Sequence, residues 1–154
     1  MAGMMFNAAV SVTPGAAPET LIQLETVTDG ADVRILIHSI HIYATGNTPA
    51  VAPDPFYLAV QTDCNEDAAL TLNKMLASDG EDLDTFVKGW KDHAAEPTTT
   101  TKIWSGALHE QGSLVVTFAP EHRIVIPGGT RMGLICSMPA ADYYAIEATL
   151  VCEA

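Results

Sequence analysis

The apolar positions of this chain recur mostly at every second residue. From Glu19 to Thr28, Leu21, Gln23, Glu25 and Val27 take one side of an extended strand; Ile22, Leu24 and Thr26 take the other. Asp29-Gly30 marks a turn, and Val33-Arg-Ile-Leu-Ile-His-Ser-Ile-His-Ile-Tyr43 follows as the segment richest in β-branched residues. A strict alternation puts Leu36, His38, Ile40 and Ile42 on one face of that strand. Val33, Ile35, Ile37, Ser39, His41 and Tyr43 fall on the other. Both faces are then apolar, which predicts a strand covered twice, once by the core and once by a partner. Phe56 to Val60, Lys102 to Leu108, Ser113 to Phe118, His122 to Ile126, Thr130 to Met138 and Tyr143 to Glu153 read as further strands, punctuated by Gly and Pro. Pro127-Gly-Gly129 predicts a type II turn with the proline second and a glycine third.

Between residues 63 and 97 the period changes. Ala68, Leu72, Met75 and Leu76 fall at i, i+4, i+7 and i+8, and Leu83, Phe86, Val87 and Trp90 at i, i+3, i+4 and i+7. With Asp63 and Glu66 as a capping box and Gly80 as a stop, this predicts a short helical insertion. The whole is an all-β chain, an antiparallel β-sandwich or jelly roll with that insertion, in one domain of 154 residues. Residues 1–12 are either its first strand or an arm that docks on a partner, since Met4, Met5 and Phe6 are more apolar than a solvated tail.

Composition narrows the function classes. With 7 basic and 19 acidic residues the formal charge is −12, which disfavours binding to nucleic acid or to an anionic membrane surface. Charged residues make up only 17% of the chain, below the roughly 25% of an average soluble domain, so part of the outside is expected to be covered. The N-terminus has neither a basic stretch nor a sustained apolar run, which predicts no secretory leader. No apolar run approaches the roughly 18 residues of a membrane helix. Cys64, Cys136 and Cys152 form no metal or redox spacing. A hairpin near residues 139–142 would leave Cys152 about 23 Å from Cys136 at strand rise. A disulfide needs Cα atoms within about 7 Å. The three are therefore expected as thiols, mostly buried, made in a reducing cytoplasm.

Candidate chemistry is sparse. His38 and His41, three apart, point to opposite faces of a regular strand and share a metal only if a bulge intervenes. A cupin-like metalloenzyme would show HxH followed by a glutamate, and this chain shows HxxH without one; His122 is a further candidate ligand. The run Asp79-Gly-Glu-Asp-Leu-Asp84 lacks the order of a calcium loop and reads as a solvated helix start. His109-Glu110 lacks the second histidine of a zinc-protease motif, and no nucleophile elbow or phosphate loop is present. Neither a catalytic site nor a cofactor is expected. Trp90, Trp104 and Tyr143-Tyr144 keep a sugar-binding module open as the rival to a structural protein.

Two stretches carry a resemblance. Val33 to Asn47 with Phe56 to Val60, and Ile124 to Leu134 with Tyr144 to Glu153, resemble the opening and closing strands of jelly-roll decoration (cement) and tail-associated proteins of tailed bacteriophages. The insertion at 63–97 is not part of that pattern. The resemblance implies a non-catalytic homotrimer on the virion surface that braces neighbouring major capsid protein subunits. On that expectation the interface residues are Met4, Met5 and Phe6, with Ile35, Ile37, His41 and Tyr43 from the outer face of the long strand.

Overall fold

The computed structural model describes residues 3–15, 17–27, 33–45, 54–64, 68–75, 82–108, 112–137 and 145–154. In chain order the strands are β1 (Met5–Val12), β2 (Glu19–Thr26), β3 (Ile35–Thr45), β4 (Asp54–Gln61), β5 (Ala68–Leu70) and β6 (Leu72–Lys74). They continue with β7 (Val87–Lys91), β8 (Thr99–Leu108), β9 (Ser113–Thr117), β10 (Ile124–Ile126), β11 (Arg131–Cys136) and β12 (Ala145–Glu153). The chain is a long antiparallel hairpin that has been rolled up. Its two arms pair β1 with β12, β2 with β11, β3 with β9 and β10, and β4 with β8. Rolling adds the pairs β3–β12 and β4–β11 and splits the hairpin into two stacked sheets. Sheet I runs β10-β3-β12-β1-β6, with β9 also on β3; sheet II runs β5-β7-β2-β11-β4-β8. This is the connectivity of a jelly roll, so the all-β sandwich expected from the sequence is the fold. Its core lies between the sheets, with Phe6, Ile22, Leu24, Phe56, Leu58 and Leu134 among its fully buried side chains.

The doubly apolar strand has a local cause. Along β3 and β12, Ser39 faces Val151 and Ile37 faces Cys152, so His38 has no opposite number and forms a β-bulge. One extra residue reverses the alternation. Ile35 and Ile37 point into the core before the bulge, and Ile40, Ile42 and Ala44 point into the same core after it. The strand is covered once, not twice. The partner-facing role expected for Ile35 and Ile37 is therefore corrected, because both are fully buried inside this chain.

The insertion between β4 and β8 sits at the tip of the rolled hairpin and is built of strands. Ala68–Leu70 pairs with β7, which itself pairs with β2, and Leu72–Lys74 pairs with β1. The expected helix over 68–76 loses to the open edges of β7 and β1, whose unpaired backbone groups are satisfied by the added strands β5 and β6. The overlooked signal was the two-residue step from Leu70 to Leu72, which pack against Gly89 on β7. The expected second helix is one 3-10 turn, Leu83–Thr85, followed directly by β7. Asp63 caps no helix: its carboxylate accepts from the backbone N–H and hydroxyl of Thr98 at 2.6 and 2.9 Å. Glu66, its expected partner in a capping box, lies outside the described residues.

Two smaller corrections concern the closing half. Thr130 N–H donates to the Pro127 carbonyl at 3.3 Å and Gly129 has φ 70°, so the turn begins at Pro127, one residue later than expected. β11 and β12 belong to different sheets rather than to a hairpin. Cys64, Cys136 and Cys152 are all thiols outside any disulfide.

Candidate functional site

The N-terminal segment is strand β1, held between β12 and β6. Met4 exchanges two backbone hydrogen bonds with Ala154, at 2.9 and 3.0 Å, and Met4 and Phe6 are buried in this chain's core. Of the seven expected interface residues, Met4, Phe6, Ile35 and Ile37 are thus core. Met5 and His41 are half-buried on the outer side of sheet I, and Tyr43 is 45% exposed.

On that outer face the bulge brings His38 and His41 to the same side, which a regular strand would forbid. They do not converge on a metal, however. His38 Nε2 lies 2.9 Å from Glu153 Oε2, with Arg123 Nη1 3.8 Å from the same oxygen, and His41 Nε2 lies 3.0 Å from Ser39 Oγ. Among the described residues, no three His, Cys, Asp or Glu side chains cluster closely enough to hold a metal ion. Further along, His41 stands between Thr149 and Val115, and Tyr43 between Glu147 and Ser113. Tyr43 and Val115 are diagonal neighbours, and Val115 is 52% exposed. Val125 on β10, opposite Leu36, is a further exposed apolar residue. This face carries an exposed apolar pair, Tyr43 and Val115, with Glu147 opposite Tyr43, and the His38–Glu153–Arg123 cluster stands between that pair and Val125.

The outer face of sheet II is built differently. Gln23 on β2 and Gln61 on β4 are buried there with Thr20. Gln23 Nε2 donates to Gln61 Oε1 at 2.7 Å and to the Asp63 carbonyl at 3.0 Å, and Gln61 Nε2 donates to Thr20 Oγ1 at 2.8 Å. Gln61 crosses β11 at Gly133, where a Cβ would come within 2.4 Å of Gln61 Oε1. The chain between β7 and β8 straps this cluster down. Glu96 accepts the Thr20 N–H at 2.8 Å, Pro97 is buried, and Thr98 is tied to Asp63 as above. Those bonds from Thr98 hold the Asp63 carboxyl below its ordinary range, with the Arg131 charge adding to the effect. Nearby, Glu25 accepts from Arg131 Nη2 at 2.7 Å and from Trp90 Nε1 at 3.3 Å. Sequence reasoning missed this network; its one visible trace was a glycine in the middle of a strand, in Arg131-Met-Gly-Leu134.

The tryptophans form no open stacking platform. Trp90 is tied to Glu25, and Trp104 is half-buried against the core. Tyr143, Tyr144, His109, Glu110 and residues 79–81 of the acidic run lie outside the described residues, and His122 is exposed on the 3-10 turn Pro120–His122. Asp82 caps the turn at Leu83–Thr85 through the Asp84 N–H. Neither Cys136 nor Cys152 is an activated thiol. Burial, with Asp54 and Glu19 nearby, pushes the Cys136 thiol up to about 12, and burial alone pushes Cys152 up.

No family model, curated protein or solved structure matches this chain. Function is therefore argued from the surface itself. Its charge is unevenly spread: of the 19 acidic residues, only Glu147 and Glu153 lie on strands of sheet I, and Glu153 is engaged by His38. Residues 62–98 hold nine acidic and three basic residues, a net of −6, half the charge of the chain. Among the described residues no helix is long and apolar enough to cross a membrane.

Proposed function

We propose that this chain is a non-enzymatic structural protein of a tailed-phage virion, a jelly-roll decoration protein that binds the major capsid protein by surface complementarity. The observation that carries it is the outer face of sheet I, where Tyr43 and Val115 stand exposed around the half-buried His41, with Glu147 the one charged residue paired to them. An exposed apolar pair on a rigid sandwich, with the acidic insertion elsewhere, suits docking onto a protein surface. The homotrimer implied by the resemblance stays an expectation of that resemblance; the bulge removes only the separate argument that β3 must be covered by a second chain.

The test is co-sedimentation with capsids of the encoding phage from which accessory proteins have been stripped. The protein should pellet with the capsid and stay bound in molar salt, since the contact is apolar. Tyr43→Ala should weaken binding about 30-fold, the effect of losing an aromatic anchor worth ~2 kcal/mol. Failure to pellet, or binding that salt abolishes, overturns the proposal. A tryptophan fluorescence change with glycans would instead favour the sugar-binding module.

A further inference from the structure

We propose that two copies of this chain form a two-fold homodimer by antiparallel pairing of β9 with β9 of the second copy, which joins their sheets I into one continuous sheet. The edges of the two sheets are unequally defended. β8, the long edge of sheet II, carries Lys102 and two register irregularities against β4, the devices that discourage edge pairing. β5, β6 and β10 are three residues each. β9 has five residues, Ser113-Leu-Val-Val-Thr117, with no charge, proline or bulge. Among the described residues its only strand partner is β3, so one side of its backbone has unfilled donors and acceptors.

The sequence of β9 also matches its own reverse. With the two-fold axis at Val115, Ser113 faces Thr117 of the second copy, Leu114 faces Val116, and Val115 faces itself. Each is a favourable cross-strand pair, two hydroxyls or two apolar side chains, and no like charges meet. The half-buried Leu114 extends the core contacts across the junction, while the Val115 pair is flanked on the outer face by Tyr43 from each copy. Electrostatics favour this edge over others. Within sheet I, β9 and the insertion strand β6 lie at opposite edges, four strand spacings or ~19 Å apart, more than two Debye lengths at physiological salt. Pairing through β9 therefore sends the two acidic insertions to the far ends of a twelve-strand sheet, where their repulsion is weakest.

Light scattering on a size-exclusion column tests this without any capsid, so its outcome is independent of the virion proposal. Two copies of 16.3 kDa give 32.6 kDa, and the dimer should strengthen as salt screens the −12 charge of each copy. Val115→Lys, at an exposed position, should return the mass to 16.3 kDa with the circular dichroism spectrum and Tm unchanged. Val115→Cys should form a disulfide-linked dimer on oxidation above the wild-type level, because directly opposed residues have Cα atoms about 4.5–5.5 Å apart. Val125→Cys, on the same face but off β9, should not. A wild-type monomer at all concentrations overturns the proposal. So does a trimer mass, a dimer that survives Val115→Lys, or equal cross-linking at 125.

Discussion

The two outer faces of the sandwich solve the same problem in opposite ways. On sheet II the chain covers its own surface: the strap at 92–98 and the Asp63 segment close over Thr20, Gln23 and Gln61, whose side chains hydrogen-bond one another and leave only Gln23 Oε1 of the three without a partner among the described residues. On sheet I nothing among the described residues covers Tyr43 and Val115, and the one charge cluster is paired at the side. A buried amide network is unforgiving, because each partner removed strands a polar group out of water. An exposed apolar pair tolerates change in the isolated protein and registers it only when a partner is present. On the proposed function, stability and recognition fall to different sheets.

Gly133→Val gives the sharpest contrast. Its side chain takes the space of Gln61, which must leave Thr20 and Gln23, at a cost of about 2–4 kcal/mol in urea unfolding. Val115→Thr on the open face should stay within about 0.5 kcal/mol by the same measurement. Equal losses would mean that the open face is covered as well. A smaller effect is expected at the strap. The Asp63 carboxyl titrates lower in the folded chain than its ordinary 3.8, so its stabilising contribution is complete above that value and is lost as pH falls through the folded one. The protection of the Thr98 amide against hydrogen exchange, taken relative to its intrinsic rate at each pH, should therefore fall on acidification, and Asp63→Asn should lower it already at neutral pH and flatten the dependence. The smallest change belongs to His38→Gln, which alters a partly exposed hydrogen bond to Glu153 while keeping a side chain at the bulge. Its expected cost is below about 1 kcal/mol, read from the urea midpoint.

The faces also differ in how legible they were. Strand positions and the sandwich could be read from alternation and from Gly and Pro, because a sheet with one buried side imposes a period of two. The buried amides of sheet II could not, since Gln23 and Gln61 sit 38 residues apart and meet only when β11 brings Gly133 between β2 and β4. The insertion misled for a related reason. Ala68, Leu72, Met75 and Leu76 fit a helix locally, and only the open edges of β7 and β1 make two short strands the better answer. Tyr43 and His41 were placed on the outer face by a strict alternation that also put Ile35 and Ile37 there. After the bulge that phase holds; before it the phase is inverted.

That bulge makes position 38 a spare residue in the strand. Many side chains should serve there, since the outer face has room for them and the hydrogen bond to Glu153 is partly exposed. Losing the residue should be tolerated as well: Ile35, Leu36, Ile37, Ser39, Ile40 and His41 would then alternate regularly, and Ile35 and Ile37 would keep their places in the core beside Ile40 and Ile42. Among relatives of this chain, the strand should vary freely in its letter at 38 and should appear one residue shorter there without any loss in the facing strand, whereas a residue gained or lost between Ile40 and Ala44 should be rare.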